Sequence, residues 1–244
     1  MNQPTSNESS DPPVGARGMT QAQRIAVWAV AIFALGATVV MTVDVLYRGV
    51  PGTRNTVDQA NAAGKQPLLD PTPGFELTSA FGKPVSNKDL RGKIVIYNFI
   101  FTRCTLICPM MNFRMMEVQE RLLKLDDPDK IRHQVKIISV SLDGGYDTPA
   151  VLKAYAYDKD RLIEADPELW WFLTGPQEKV WPMAEQGFKL QVTADPGGAV
   201  GEQISHSSRF VLVDRQGRIY NYYHSDDAAE LDALVADASR LLEK

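Results

Sequence analysis

The chain has 244 residues, 44% of them hydrophobic and 23% charged, with 26 Lys and Arg against 30 Asp and Glu for a net charge of −4. This is enough apolar material for a folded core. It also excludes a nucleic-acid surface, because a phosphate backbone is held by clustered Lys and Arg, and the sequence has no basic stripe.

Residues 1–24 are rich in Ser, Pro, Asn and Gln and nearly free of large apolar side chains. Such a segment buries too little surface to offset ordering entropy, and a disordered tail is expected. Ile25–Val43 then runs 19 residues without a charge. As a helix it would span about 28 Å at ~1.5 Å per residue, close to the ~30 Å hydrocarbon thickness. A cleaved signal peptide has a shorter apolar stretch and a small-residue cleavage site, so residues 25–46 are expected to be a retained transmembrane anchor. Arg17 and Arg24 precede the run and Arg48 and Arg54 follow it, so charge counting leaves its orientation open. Residues 47–73 favour Pro, Gly, Asn and Ala and suit a linker. The soluble domain is expected over residues 74–244.

Within that domain, FELTSAFGKPV reads as a hairpin around Gly82, and KIVIYNFIF (Lys93–Phe101) as a strand covered on both faces. MMNFRMMEVQERLLKL has helical spacing, and VKIISVSL (Val135–Leu142) is a second buried strand. TPAVLKAYAYDK opens a helix with Pro149 in its first turn, LWWFLTG is a short strand, and PQEKVWPMAEQ another helix. RFVLVDRQGRIYNYY is a hairpin turning at Gln216-Gly217, and DDAAELDALVADASRLLEK closes the chain as an amphipathic helix. Alternating strands and helices imply an α/β sheet with helices on both faces.

The only cysteines, Cys104 and Cys108, stand between a buried strand and the following helix, with Pro109 directly after. A helix N-terminus offers unpaired N–H groups and partial positive charge, which favour thiolate over thiol. If both residues were helical their Cβ atoms would lie ~5–6 Å apart. A disulfide needs ~3.8 Å, so oxidation requires Cys104 in the loop ahead of the helix. Inert core cysteines, a redox pair and a metal site all remain readings of this motif; the crowding of both thiols into one turn argues against the first, and a metal tolerates the wider gap between the sulfurs. Two thiolates under-fill a tetrahedral zinc site, whereas soft sulfur selects Cu(I) and an added imidazole also suits Cu(II). The third ligand is then sought among His133, His206 and His224. His133 stands in a polar turn before a strand, and His224 follows the last strand. His206 ends the Gly-rich stretch DPGGAVGEQ, which can fold back over the cysteines, and is preferred.

Four segments together, FTRCTLICP, SLDGGYDTPAVLKAYA, WWFLTG and ISHSSRFVLVDRQGRI, resemble the Sco/SenC family of membrane-anchored copper proteins, from about Phe75 to the C-terminus. The resemblance implies a thioredoxin-like fold, a central mixed sheet flanked by helices, preceded by one transmembrane helix. It implies copper, Cu(I) or Cu(II), on Cys104, Cys108 and His206, and a role in building the Cu-A centre of cytochrome c oxidase. The implied partners are oxidase subunit II or a similar copper acceptor, a thiol reductase and another copper chaperone as donor. The implied location is the bacterial inner membrane with the domain in the periplasm, or the mitochondrial inner membrane facing the intermembrane space. Asp143 and Asp147 fall in the family's acidic loop and are carried over as residues behind the ligands or facing a partner. Gly144-Gly145 depart from the bulkier or charged residues usual there. Met110, Met111, Met115 and Met116 read as core packing rather than extra ligands. The expected function is copper delivery by ligand exchange, without bond-making catalysis. Its rival is a thiol–disulfide oxidoreductase acting through Cys104 and Cys108 on the client's cysteines.

Overall fold

The computed structural model describes residues 70–158 and 163–243, together with Gln21 and Trp28. Those two positions apart, the expected tail and anchor and nearly all of the linker lie outside the described residues. Among the described residues no helix is long and apolar enough to cross a membrane. The chain divides into the units Met1–Ala60 and Asn61–Lys244, and the fold described here belongs to the second.

In chain order the strands are β1 (Asp70–Pro71), β2 (Glu76–Ser79), β3 (Pro84–Ser86), β4 (Ile94–Ile100), β5 (Val135–Ser141), β6 (Trp170–Thr174), β7 (Val192–Ala194), β8 (Ile204–His206), β9 (Arg209–Val213) and β10 (Arg218–His224). The helices are α1 (Cys108–Leu123), α2 (Pro128–Gln134), α3 (Pro149–Tyr157), α4 (Gln177–Pro182) and α5 (Ala228–Leu242). Eight strands form one sheet in the order β1-β10-β9-β4-β5-β6-β2-β3, while β7 and β8 pair as a separate ribbon. β4, β5 and β6 run parallel, and β9 lies antiparallel on the other side of β4. This mixed sheet flanked by helices is the expected thioredoxin-like arrangement.

β4 is buried along all seven residues, and its alternation separates two cores. Ile94, Ile96 and Ile100 join a cluster with Met111, Met115, Val118 and Leu122 of α1 and with Leu231, Leu234 and Ala238 of α5. On the opposite face Tyr97 and Phe99 hold the Phe188 ring at centroid distances of 4.7 and 5.5 Å. The α1 residues facing β4 recur every three or four positions, which makes one apolar stripe of a 3.6-residue helix. Truncating Met115, which is fully buried, would cost ~2–5 kcal/mol.

Several elements follow their sequence signals. Gly82 (φ 74°) turns the β2–β3 hairpin, Gly217 (φ 75°) turns β9 into β10, and Thr148 caps α3 by accepting from Val151 N–H, with Pro149 next. Two differ. The polar stretch around His133 is helical, because Asp127 caps Asp129 and Lys130 and Pro128 opens the first turn. The β7–β8 ribbon was not expected at all. With three residues per strand, it is too short for a period-2 pattern to stand out.

Candidate metal centre

The site forms where β4 ends. Phe101, the residue after it, is buried, and Cys104 N–H donates to Phe101 O at 3.2 Å, so the chain turns before α1 begins. Cys104 therefore lies in the loop, not in the helix, while Cys108 is the first residue of α1. Ile107 at the N-cap offers no side-chain acceptor to the first turn. The sulfur of Cys104 takes that place, accepting Cys108 N–H at 3.4 Å. Both thiols are free and buried.

His206 arrives from the far side. It ends β8, and the loop before it folds onto the cysteine loop at Gly201, as the Gly-rich stretch suggested. Gly201 has φ 96°, and a Cβ there would lie 2.5 Å from Arg103 O and 3.0 Å from Thr105. Only glycine permits this approach. The His206 ring stands edge-on to Phe101 with centroids 5.8 Å apart, and its Nδ1 lies 3.0 Å from Ser207 O. Donation from Nδ1–H to that carbonyl leaves the Nε2 lone pair for the thiols. Nε2 is 3.3 Å from Cys108 Sγ. One ligand atom each from Cys104, Cys108 and His206 lies within 4.8 Å of the others. That is close to twice a metal–ligand bond of ~2.0–2.3 Å, so one ion reaches all three with small adjustments.

The electrostatics favour one thiolate. Cys104 is drawn down to about 3, first by the hydrogen bond from the Cys108 thiol and further by the N–H groups of Cys108 and Leu106, against burial. Cys108 is pushed up as the donor of that bond, then by burial and by the neighbouring thiolate charge. The two sulfurs titrate as a coupled pair, with the thiolate favoured at Cys104. Such a site suits a soft cation, which displaces the remaining thiol proton, and equally suits attack by the Cys104 thiolate on a disulfide.

The other candidates separate clearly. His133 is exposed on α2, where its carbonyl accepts from Lys93 Nζ at 2.7 Å. His224 lies 3.4 Å from Arg209 Nη2, with its N–H on Glu230. Neither belongs to the cluster. Asp143 pairs with Arg103 through Nη2 at 2.6 Å and Nε at 3.2 Å, and the guanidinium covers the Tyr146 ring at 4.2 Å. Asp147 is buried and receives Thr102 N–H at 3.0 Å, the Thr102 hydroxyl and Ser141 Oγ at 2.5 Å. Gly144 has a local reason: a Cβ would come 1.9 Å from Gly175 O. Met111 and Met115 are fully buried in the core, Met116 accepts Glu164 N–H at 3.4 Å, and Met110 is exposed. No role was expected for Phe101, which read only as the end of an apolar strand, or for Thr102, which stood only as a spacer in FTRCTLICP.

Comparison with known proteins adds the following. The SCO1/SenC family model matches residues 63–243. A protein of Bacillus subtilis described as a SCO1 protein homolog is 32% identical over 181 residues, covering 72% of this chain and 87% of that one. The structure of BsSco, described as having a disulfide switch and as a member of the Sco family of cytochrome c oxidase assembly proteins, is similar with TM-score 0.59 and 31% identity over 72% of this chain and 98% of that one. Copper-bound ScoI of Bradyrhizobium japonicum is similar with TM-score 0.56 and 27% identity over 70% and 98%.

Proposed function

The chain belongs to the SCO1/SenC family, and from this premise we propose that it is a copper chaperone for cytochrome c oxidase assembly. It takes one copper ion on Cys104, Cys108 and His206 and hands it to the oxidase's Cu-A centre. The observation that carries this reading is the meeting of two sulfurs and one imidazole nitrogen within 4.8 Å, from segments almost a hundred residues apart. A relative of similar fold holds copper.

The donors divide the work. The Cys104 thiolate attracts the cation first, because it carries charge before any metal arrives. Binding then draws the proton from Cys108. His206, held by its Nδ1 contact to Ser207 O, supplies Nε2 and closes the set. Three donors leave copper under-coordinated. A thiolate of the acceptor can therefore bind before the original sulfurs leave, and the ion passes by stepwise exchange. Uptake requires reduced thiols, so a thiol reductase serves the protein, a second copper chaperone donates the ion, and subunit II of the oxidase receives it. Membrane association follows the family. The finer reading is a single-pass anchor at residues 25–46 in a bacterial inner membrane with the domain in the periplasm, or in a mitochondrial inner membrane facing the intermembrane space.

A second reading has an observation of its own. Cys104 lies in the loop, which removes the helical restriction on a disulfide, and the thiolate–thiol pair resembles an attacking and a resolving cysteine. The protein would then reduce the client's cysteines. His206→Ala separates the two: copper delivery requires that this variant bind copper more weakly with an altered spectrum, whereas thiol exchange requires unchanged reduction of a disulfide client. Copper binding that is indifferent to His206→Ala would reject the delivery reading.

A further inference from the structure

Asp147 is fully buried, and none of its hydrogen bonds comes from a cation; Arg103, paired directly with Asp143, acts on it only through space. Its carboxylate accepts only from neutral donors: Thr102 N–H and Ser141 Oγ on Oδ2, and the Thr102 hydroxyl on Oδ1. A charge buried without a direct ion pair is unfavourable, and three hydrogen bonds offset this only in part. The position is therefore informative about what those donors hold.

Two of the three come from Thr102. The residue before it, Phe101, is where both arms of the metal centre attach. The Phe101 carbonyl takes the Cys104 N–H at 3.2 Å, and the Phe101 ring seats the His206 imidazole at 5.8 Å. Asp147 reaches Thr102 from a loop that is itself fixed. Gly144 lies against Gly175 O too closely for any side chain, Asp147 N–H donates to Asp143 O at 2.8 Å, and Thr148 caps α3.

We infer that Asp147 is a positioning residue for the metal centre: by clamping Thr102 it fixes the Phe101 platform, and with it the separation of Cys104 from Cys108 and of both from His206. Asp143, its neighbour in the same loop, does something different, since it pairs with the half-buried Arg103. The inference rests on the copper reading for the meaning of the three donors, but its test does not depend on copper delivery.

The experiment uses the full-length, copper-free protein and follows Cys104–Cys108 disulfide formation, with oxidised glutathione as the two-electron acceptor. Asp147→Ala removes the clamp and is expected to slow closure about 10–100-fold, by analogy with the metal affinity lost when a group behind a ligand is removed. Asp147→Asn retains it, its carbonyl accepting from Thr102 N–H and Ser141 while its amide donates to the Thr102 hydroxyl, and should close within about twofold of wild type. With Cu(II) added, the sulfur-to-copper absorption band should shift in Asp147→Ala and stay in place in Asp147→Asn. An Asp147→Ala protein that closes at the wild-type rate overturns the inference. So does an Asp147→Asn protein as slow as Asp147→Ala, because charge rather than position would then be responsible. Should Asp147→Ala fail to fold, Thr102→Val removes one donor alone and must slow closure in the same direction; an unchanged rate there overturns the inference equally. A wild-type protein that binds no copper would end the delivery reading and leave these thiol measurements standing.

Discussion

The cysteine arm of the site and its histidine arm arrive at one point from unequal footings. Cys104 and Cys108 sit between a strand buried at all seven positions and a sixteen-residue helix packed on the main core. His206 sits at the end of a ribbon of two three-residue strands outside the main sheet, with β8 only half-buried. What holds it is local: Gly201 against Arg103 and Thr105, the ring on Phe101, and the Ser207 carbonyl. Segments with few buried contacts open at lower free energy than core strands. The thiols are thus fixed in place, and the imidazole is the ligand free to withdraw.

Breaking the cysteine arm has the largest effect. Cys104→Ala or Cys108→Ala leaves one sulfur and one nitrogen, and the purified protein should retain no stoichiometric copper in a metal count. Breaking the histidine arm is milder. His206→Ala should weaken copper binding at least tenfold, because loss of a ligand exceeds the ~10–100-fold loss that follows removal of a group behind one, while the Cys104–Cys108 potential moves little. Gly201→Ala sharpens the contrast further. Its Cβ would meet Arg103 O and it has a positive φ, a strain of ~1–3 kcal/mol that falls on the ribbon. Amide exchange should quicken over residues 192–206 and stay slow in β4.

The pH behaviour tests the cysteine pair. Cys104 has its thiol drawn down to about 3, chiefly by the Cys108 thiol, whereas an unfolded cysteine titrates near ~8.5. A depressed group contributes stability that is fully present above the unfolded value and is lost as pH falls through the folded one. Urea unfolding should therefore show stability falling as pH drops from about 8 towards the folded value, a slope that Cys104→Ser lacks. The smallest effect is expected at His133, exposed and outside the cluster. His133→Ala should change stability by within ~0.5 kcal/mol and leave copper binding intact.

The same contrast explains what was legible in the sequence. Long apolar runs and strong caps announce themselves, so β4, β5, α1 and the Thr148-Pro149 start of α3 were readable, and with them the placing of the cysteines at a strand–helix junction. The ribbon was not, because three residues show no alternation. His206 could be preferred over His224 from its Gly-rich approach and from family resemblance, but its distance to the sulfurs depends on long-range packing at Gly201 and Phe101. The Asp127 cap of α2 was visible in DDPDK and overlooked. The clamp of Thr102 by Asp147 joins residues 45 positions apart, and no local pattern in the sequence encodes it.

The account depends most directly on two sulfurs and one nitrogen holding the same ion. X-ray absorption at the copper edge, on the reduced full-length protein loaded with copper, addresses this in wild type and His206→Ala. One copper per chain, with two sulfur scatterers and one imidazole that vanishes in the variant, is the predicted result. A spectrum with sulfur alone, identical in both proteins, would contradict the account.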